Sequence, residues 1–353
     1  MAQTMPAVVF ERAGVLRLLE RPLPTLRDDH DVLIRIVATG ICGTDRGIAL
    51  GRFPASPGVI VGHEAVGIVA STGDAVKAVG SGDRVVLNPT FYCGRCRPCR
   101  RGTMAHCEAK AGRELGVDCD GTMASSAVLH ERFVHPLPAG MSLRRAVMIE
   151  PLACVLNNLA AAQLRPDDHV LVAGAGPIGA LCALVLAARG ARVAIVDRDP
   201  ARAALARSAL APSVEVVDGI VGEYRNVQGR RPDVVVDTTG VLLEDALEAV
   251  ADAGRIVVMG EREGAQATVA LRSVVTRGIR IVGAGPYAPD AFELAIDLAD
   301  DLPLEALVTH TLALERYEEA FRLLGVRLDG ATQPGGYGAM KVLLVSGDDL
   351  LAA

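Results

Sequence analysis

The stretch that decides the fold is "HVLVAGAGPIGALCALVLAARGARVAIVD", residues 169–197. It begins with a short apolar run typical of a buried strand, continues as an apolar helix that ends at a glycine, and closes on a second apolar run. A strand, a helix and a second strand in this order form a βαβ unit, whose two strands are parallel. The segment therefore predicts an α/β domain with a doubly wound parallel sheet.

Three glycines follow the first strand of this unit, Gly174, Gly176 and Gly179 in "GAGPIG". The first permits a tight turn, the second lets a pyrophosphate approach the backbone, and the third allows the helix to pack closely on the strand. Asp197 ends the next strand, where a carboxylate can bind both hydroxyls of an adenine ribose. The alternative for Asp197 is a turn or capping residue, because "DRDP" opens another helix. Together the four residues predict a dinucleotide site.

The residues around this site also bear on the choice of cofactor. The carboxylate of Asp197 would repel a 2′-phosphate, which favours NAD over NADP, although Arg198 beside it could accommodate that phosphate in part. Pro177 and Ile178, which open the helix, and Thr239 in "DVVVDTTG" complete the set of candidate cofactor-binding residues.

The pattern of predicted secondary structure changes near Pro166. Residues 7–145 form short apolar runs separated by glycine and proline turns, which predicts a compact, mostly β unit. After Pro166, strand-like and helix-like segments alternate as in a parallel sheet. A second glycine-rich segment, "GAGPYA" at 283–288, is not followed by a βαβ unit, so we interpret it as a strand end rather than a second nucleotide site.

Composition excludes several classes of protein. The 353 residues carry a formal net charge of −6, with arginines scattered among acids, so nucleic acid is not an expected partner. No apolar run approaches the roughly 20 residues of a membrane-spanning helix. The N-terminus lacks the features of a secretory signal, which predicts a reducing compartment and a cytoplasmic location.

Four of the eight cysteines lie close together: Cys93, Cys96, Cys99 and Cys107, with two, two and seven residues between them. Disulfides are disfavoured in a reducing compartment, and a redox pair would explain two of the cysteines only. Four thiolates at this spacing can form a closed tetrahedral zinc site, which leaves no position for a substrate. The cluster predicts structural zinc, with unligated buried cysteines as the alternative.

Cys42 in "GICGTD" and His63 in "GHEAVG" both follow apolar runs and are flanked by glycines. A lone cysteine or a lone histidine in such a place is more often a buried structural residue than a metal ligand. Together they suggest a catalytic zinc with an open coordination position.

These motifs, in this order and through to the last strand, resemble those of the medium-chain, zinc-dependent alcohol dehydrogenase family. The resemblance implies a mostly β, GroES-like catalytic domain made of residues 1–153 and 290–353, with a structural-zinc lobe at about 88–116. It implies a Rossmann NAD-binding domain at residues 154–289, inserted between those two parts. It also implies a homotetramer, with a dimer as the next choice.

The resemblance also assigns the remaining site residues. Glu150 in "MIEPLACV" resembles the glutamate that binds the catalytic zinc, directly or through water, in the polyol and threonine dehydrogenase branch. The alternatives are that Glu150 only favours the start of a helix, and that Cys154, one turn later, is the ligand. Glu64 resembles an outer-shell carboxylate or a transient ligand, and Asp45 the aspartate that holds the ligand histidine.

Thr44 resembles the hydroxyl that accepts the alcohol proton and passes it to the cofactor ribose. Many relatives continue this path through a histidine five residues after the ligand cysteine, but here that position is Gly47, preceded by Arg46. An arginine is a poor proton carrier at neutral pH. Arg46 either favours an anionic or strongly polar substrate or is an exposed loop residue.

The expected activity is hydride transfer between a secondary alcohol and NAD, with one catalytic and one structural zinc per chain. A polyol, sugar alcohol or cyclitol is the first choice of substrate. The alternatives are a threonine-type amino alcohol dehydrogenase and a biosynthetic ketone reductase. The alternative from another functional class is a non-catalytic nucleotide-binding protein of the same fold.

Overall fold

The structure is a computed structural model that describes residues 3–225, 229–329 and 336–347. The chain forms two compact units. The first consists of Met1–Glu150, Ala288–Asp300 and Val308–Ala353, and the second of Pro151–Tyr287 and Asp301–Leu307.

The short helical turn Leu304–Leu307 belongs to the second unit. The family resemblance implied instead that all of residues 290–353 belong to the catalytic domain. Leu304 and Leu307 are fully buried, and their turn contacts the helix at 177–188. Burial of these two side chains explains why the turn joins the nucleotide-binding unit.

The first unit is built mainly on β-strands. Its strands are β1 (Thr4–Arg12), β2 (Val15–Pro22), β3 (Asp31–Gly40), β4 (Glu64–Thr72), β5 (Arg84–Leu87), β6 (Ser126–His130), β7 (Val134–Pro136), β14 (Val308–Ala313) and β15 (Lys341–Val345). Strands β1 and β2 form a hairpin, and the other seven form one sheet in the order β14-β15-β3-β4-β5-β7, with β6 paired to β3. Only the β14–β15 pair in this sheet is parallel. The prediction of a mostly β unit for this part of the chain is confirmed.

Short helices connect these strands. They are α1 (Gly43–Ala49), α2 (Arg97–Arg100), α3 (Leu143–Ala146), α9 (Pro289–Leu298) and α10 (Tyr317–Leu323), while α4 (Ile149–Ala161) begins in the first unit and continues into the second. None of the helices in the described residues has the length and apolar composition that a bilayer span requires.

Strand β3 sets the geometry of the candidate site. Its residues Val32, Ile34 and Ile36 face one buried cluster, in the alternation expected of a strand with a core face. The antiparallel register with β4 places Gly40, the last residue of β3, opposite Glu64, the first residue of β4. The chain that leaves β3 and the chain that enters β4 therefore lie side by side.

The second unit contains the predicted parallel sheet. Its strands are β8 (His169–Ala173), β9 (Arg192–Asp197), β10 (Glu215–Asp218), β11 (Val234–Asp237), β12 (Arg255–Val258) and β13 (Arg280–Val282). Its other helices are α5 (Pro177–Ala188), α6 (Pro200–Ala209), α7 (Leu243–Ala249) and α8 (Leu271–Arg277).

The six strands are all parallel and lie in the order β10-β9-β8-β11-β12-β13. This is the Rossmann order, in which the direction of winding reverses between the first and fourth strands. The carboxyl ends of β8 and β11 thus lie at the point where such sheets bind their ligands. The doubly wound α/β prediction is confirmed, and the segment 283–288 follows the edge strand β13.

Candidate active site and metal centres

Cys42 follows β3 and caps the N-terminus of α1, while His63 immediately precedes β4. Asp45, in the first turn of α1, connects the two segments. One of its carboxylate oxygens accepts the backbone N–H of Cys42 at 2.8 Å, and the other accepts the backbone N–H of Gly62 at 3.1 Å. Because Asp45 is only 1% exposed, these bonds are shielded from water and fix the two segments together.

The distance between Asp45 Oδ1 and His63 Nδ1 is 4.0 Å, which is longer than a hydrogen bond. The resemblance implied that Asp45 holds the histidine through this nitrogen. In the structure Asp45 acts instead on the backbone beside both residues, and the buried Nδ1 of His63 has no hydrogen-bond partner. Asp45 still favours the charged imidazole through its own charge.

The ligand atoms of Cys42, His63 and Glu64 all lie within 4.8 Å of one another. Burial disfavours a charged imidazole, but Cys42, Asp45 and Glu150 outweigh that effect and raise the pKa of His63 well above its usual value. The same negative field would attract a divalent cation. A thiolate, an imidazole and a carboxylate are also the donors that zinc prefers, so these residues fit a zinc ion.

Glu150 and Cys154 lie on α4, and their placement differs. Glu150 is buried in the first unit, outside the group of three ligand atoms but close enough for its charge to act on His63. Cys154 is half-buried and belongs to the second unit. The choice of third zinc ligand stays a prediction, and Glu150 remains our first choice.

Sequence reasoning missed one charged group in this site, Lys341 at the start of β15. Its ammonium lies 2.6 and 2.8 Å from the two carboxylate oxygens of Glu64, and it also donates to the carbonyl oxygen of Ile41 at 3.3 Å. Burial opposes the charged ammonium, but Glu64, Cys42 and Glu150 outweigh it and raise the pKa of Lys341. A lysine at the head of the apolar run "MKVLLV" was the available signal, because lysine is almost never fully buried without a partner.

The candidate proton-relay residues lie on α1. Thr44 Oγ1 is 3.7 Å from Cys42 Sγ, so the predicted hydroxyl lies beside the thiol of the candidate ligand. Arg46 lies in the helix rather than in a loop, is half-buried, and stacks on Tyr337 with 4.7 Å from guanidinium carbon to ring centre. A Cβ at Gly47 would come within 2.9 Å of the Phe53 Cβ, so a side chain at this position would crowd Phe53.

The second metal group consists of the four clustered cysteines. The sulfur atoms of Cys96 and Cys99 are 3.3 Å apart, and those of the pairs Cys93–Cys99 and Cys96–Cys107 are each 3.9 Å apart. A tetrahedral zinc with bonds of about 2.3 Å needs sulfur atoms about 3.8 Å apart. The spacing therefore fits a closed four-thiolate site, and all eight cysteines of the chain are free thiols.

Backbone N–H groups around the lobe point at these sulfur atoms. Hydrogen bonds from the backbone of Arg95 and Cys96 lower the pKa of Cys93 to about 6, whereas burial raises the pKa of Cys99 to about 11. The backbone N–H of Ala109 donates to Cys107 Sγ at 3.4 Å. Donors arranged in this way stabilise thiolates, the form in which cysteine binds zinc.

The glycine-rich loop between β8 and α5 has the geometry that the sequence predicted. Gly174 adopts φ +101°, where a side chain is strained, and a Cβ at Gly179 would lie 1.9 Å from the Gly174 carbonyl oxygen. A Cβ at Gly176 would meet nothing closer than 3.7 Å. Gly174 thus permits the tight turn, and Gly179 permits the close packing of α5 on the loop. Gly176 leaves open space at the N-terminus of α5, where a pyrophosphate binds well.

Asp197 ends β9 beside this loop. Its carboxylate accepts the backbone N–H groups of Ala175 at 2.8 Å and Asp199 at 2.9 Å, which fixes its orientation. The guanidinium of Arg202, which the sequence did not single out, lies 3.9 Å from Asp197 and 3.7 Å from the Cβ position at Gly176. Arg202 is therefore a further candidate for contact with the cofactor.

The other predicted cofactor residues lie at the carboxyl ends of the strands of this sheet. Pro177 and Ile178 form the first turn of α5, and Arg198 is exposed next to Asp197. The Thr239 hydroxyl donates to Asp237 at 2.7 Å, just beyond the end of β11. All of these residues thus surround the loop between β8 and α5 or the adjacent end of β11.

Comparison with known proteins agrees with this assembly. The family model for the alcohol dehydrogenase GroES-like domain matches residues 28–139, and that for the zinc-binding dehydrogenase matches residues 177–301. D-xylulose reductase A of Aspergillus oryzae is 31% identical over 332 residues, which cover 89% of this chain and 91% of the relative.

Solved structures show the same similarity. A zinc-binding dehydrogenase of Sinorhizobium meliloti bound to NADP has a TM-score of 0.85 and 26% identity, and the match covers 98% of this chain and 100% of that one. The 2R,3R-butanediol dehydrogenase of Bacillus subtilis has a TM-score of 0.81 and 25% identity, and the match covers 97% and 100% of the two chains. The chain therefore belongs to the medium-chain, zinc-dependent alcohol dehydrogenase family, in the branch that contains the polyol dehydrogenases.

Proposed function

We propose that the protein transfers hydride between a secondary alcohol and NAD, with a polyol, sugar alcohol or cyclitol as substrate. The observation that carries the proposal is the group of Cys42, His63 and Glu64, whose ligand atoms lie within 4.8 Å of one another and in which Lys341 binds Glu64. At a catalytic zinc the protein ligands leave one coordination position free for substrate. The four cysteines would fill every position of their zinc, which makes that site structural. The D-xylulose reductase of Aspergillus oryzae supports a polyol as substrate.

The residues of the chain have distinct roles in this proposal. Cys42 and His63 would hold the catalytic zinc, with Glu150 or Glu64 as the carboxylate ligand, and Thr44 would take the alcohol proton and pass it on. When bound, zinc supplies a Lewis acid for the substrate oxygen, and NAD supplies the hydride acceptor. Asp45 keeps the segments that carry Cys42 and His63 together.

NAD is our proposed cofactor in preference to NADP. Both oxygens of Asp197 are fixed by backbone N–H groups, so the carboxylate cannot easily turn away from a 2′-phosphate. Arg198 is exposed beside it and Arg202 lies 3.9 Å from it, so these two guanidinium groups compensate the charge in part. The proposed preference thus depends on a negative charge of fixed position.

The proposal predicts NADH formation with polyols or cyclitols and a much lower rate with simple primary alcohols. The measurement is absorbance at the NADH band across polyols, cyclitols, amino alcohols and simple alcohols, with NADP in place of NAD as the control. A kcat/KM with NADP equal to that with NAD would contradict the cofactor assignment. Turnover of threonine alone would favour the amino alcohol alternative.

A non-catalytic nucleotide-binding protein is the rival from another class. It would bind NADH without needing the donors of Cys42, His63 and Glu150. A well-folded chain that binds NADH, holds zinc only at the four cysteines and oxidises none of these alcohols would favour that rival.

We also propose a homo-oligomer, a tetramer first and a dimer next. Strand β13 is an edge of the parallel sheet, and the side chains of Leu271 and Val275 on α8 are 74% and 78% exposed. An unpaired edge and exposed apolar residues favour contact with a second copy. Val275→Glu should shift the sedimentation coefficient toward a smaller species, and an unchanged coefficient would argue against this surface.

We place the protein in the cytoplasm, because none of the eight cysteines forms a disulfide and a reducing compartment keeps cysteines reduced. Fractionation of the cells that express the chain is the direct measurement.

A further inference from the structure

Asp237, the last residue of β11, is a fully buried carboxylate that shapes the loop after this strand. One of its oxygens accepts the backbone N–H groups of Thr239 at 2.8 Å and Gly240 at 3.1 Å and the Thr239 hydroxyl at 2.7 Å. The other oxygen accepts the backbone N–H of Leu242 at 3.0 Å. Asp237 forms no ion pair within the described part of the chain, so these bonds stabilise the buried carboxylate. We call residues 238–242 the β11 loop.

The β11 loop lies against the glycine-rich turn after β8. The Thr238 hydroxyl donates to the carbonyl oxygen of Ala173 at 2.8 Å. A Cβ at Gly174 would come within 2.7 Å of Thr238 Oγ1 and 2.8 Å of Thr239 Cγ2. The turn that begins at Gly174 leads to the N-terminus of α5, where a pyrophosphate binds well. Asp237 thus fixes a loop that borders the proposed cofactor site.

The hydrogen bonds of the Thr239 hydroxyl decide what it can offer to a ligand. A hydroxyl has one hydrogen to donate and two lone pairs that accept. Its hydrogen is donated to Asp237, because a carboxylate only accepts, and the backbone N–H of Val241 donates to the same hydroxyl at 3.3 Å. The remaining lone pair can bind a donor only. This excludes a pyrophosphate oxygen, which is itself an acceptor, and suits a hydroxyl of a ribose.

The order of the strands indicates which ribose of NAD lies near Thr239. Strand β9, which ends at Asp197, lies on one side of β8, and β11 lies on the other side. The adenine ribose is the expected partner of Asp197, and the pyrophosphate is the expected partner of the turn after β8. A dinucleotide that extends from Asp197 across this turn brings its second ribose, the one attached to the nicotinamide, toward the β11 loop.

We propose that Asp237 is a positioning residue that orients the Thr239 hydroxyl to accept a hydrogen bond from the nicotinamide-side ribose of the cofactor. The carboxylate of Asp237 has about four lone-pair sites, and the four hydrogen bonds within the β11 loop occupy them. Asp237 therefore acts through Thr239 and does not itself bind the cofactor. This inference rests on the proposed NAD site and involves neither metal group.

The test compares the binding of NADH with that of ADP, which lacks the nicotinamide and the ribose attached to it. Calorimetry gives both Kd values for the wild type, Thr239→Val and Asp237→Asn. Valine keeps the shape of threonine without the hydroxyl, and asparagine offers one acceptor oxygen to four donors. We expect the Kd of NADH to rise by about 10-fold in each variant, because one hydrogen bond is lost. The Kd of ADP should stay the same.

The double variant Asp237→Asn/Thr239→Val tests whether Asp237 acts through Thr239. Its Kd for NADH should equal that of Thr239→Val, because the hydroxyl that Asp237 orients is already absent. The matched control is Asp233→Asn, just before β11 begins, where the carboxylate accepts the backbone N–H of His169 at 2.9 Å. This variant should lower Tm without changing either Kd, which separates a loss of stability from a loss of positioning.

An unchanged Kd of NADH in either single variant would overturn the proposal, and Thr239→Val keeps the test decisive if Asp237→Asn does not fold. An equal rise in the Kd of ADP and NADH would also overturn it, because the hydroxyl would then not bind the nicotinamide-side ribose. So would single-variant effects that add in the double variant. A wild type that binds neither nucleotide would instead disprove the proposed cofactor site.

Discussion

Replacing His63 with alanine should remove the catalytic zinc and nearly abolish alcohol oxidation. His63 supplies the only imidazole of the group, and the charges of Cys42, Asp45 and Glu150 act on it. Because a metal contributes several kcal/mol of transition-state stabilisation, kcat/KM should fall by about 1,000-fold or more. The zinc content should fall from about two ions per chain to about one.

The matched control is His106→Ala, since His106 is an exposed histidine in the lobe of the four cysteines and belongs to neither group of ligand atoms. This variant should keep its zinc content and its activity. NADH binding, measured by fluorescence, should survive in both variants, because the glycine-rich loop and Asp197 lie in the other unit of the chain. A His63→Ala variant that keeps its full zinc content and its turnover would disprove the metal-binding role of His63.

The fold was predictable from local patterns to a large extent. The glycines of "GAGPIG" and the acid that ends β9 each have a role that depends on a few neighbouring residues, so the sequence alone predicts them. The spacing of the four cysteines is equally local. Helix α8 has no counterpart among the sequence predictions, because "LRSVVTR" contains β-branched residues that are typical of strands. In the structure none of its side chains is buried, so no apolar face marks it as a helix.

The candidate site was predictable in its residues but not in its contacts. Cys42 and His63 are 21 positions apart, and only the pairing of β3 with β4 brings their segments together. The pairing of Lys341 with Glu64 joins residues 277 positions apart, so it depends on the place of β15 beside β3 in the sheet. Long-range register of this kind follows from the packing of the whole sheet and leaves no local pattern.

Gly47 departs from the family pattern at a position that has little room for a side chain. The sequence shows that a histidine is absent but not why. In the structure the Phe53 Cβ occupies the space beside the Gly47 backbone, and Arg46 stacks on Tyr337 instead of lying exposed in a loop. The hypothesis that Arg46 selects polar or anionic substrates stays a prediction.

Replacing Cys99 with serine should remove the structural zinc and destabilise the lobe at about 88–116. Cys99 is buried, and its sulfur lies 3.3 Å from that of Cys96 and 3.9 Å from that of Cys93, so its loss opens the thiolate shell. A structural zinc contributes on the order of 10–16 kcal/mol in isolated zinc-finger peptides. We expect the free energy of unfolding to fall by at least several kcal/mol, with faster hydrogen exchange in the lobe.

The control for this variant is Cys119→Ser. Burial raises the pKa of the Cys119 thiol to about 11, and Cys119 belongs to neither metal group, so zinc content and Tm should change little. Because Cys42 and His63 lie outside the lobe, Cys99→Ser protein that remains folded should still form NADH. Unchanged stability together with two retained zinc ions per chain, about the wild-type content, would show that the four cysteines do not hold the structural metal. Loss of turnover with the catalytic zinc in place would instead show that the lobe also supports the active site.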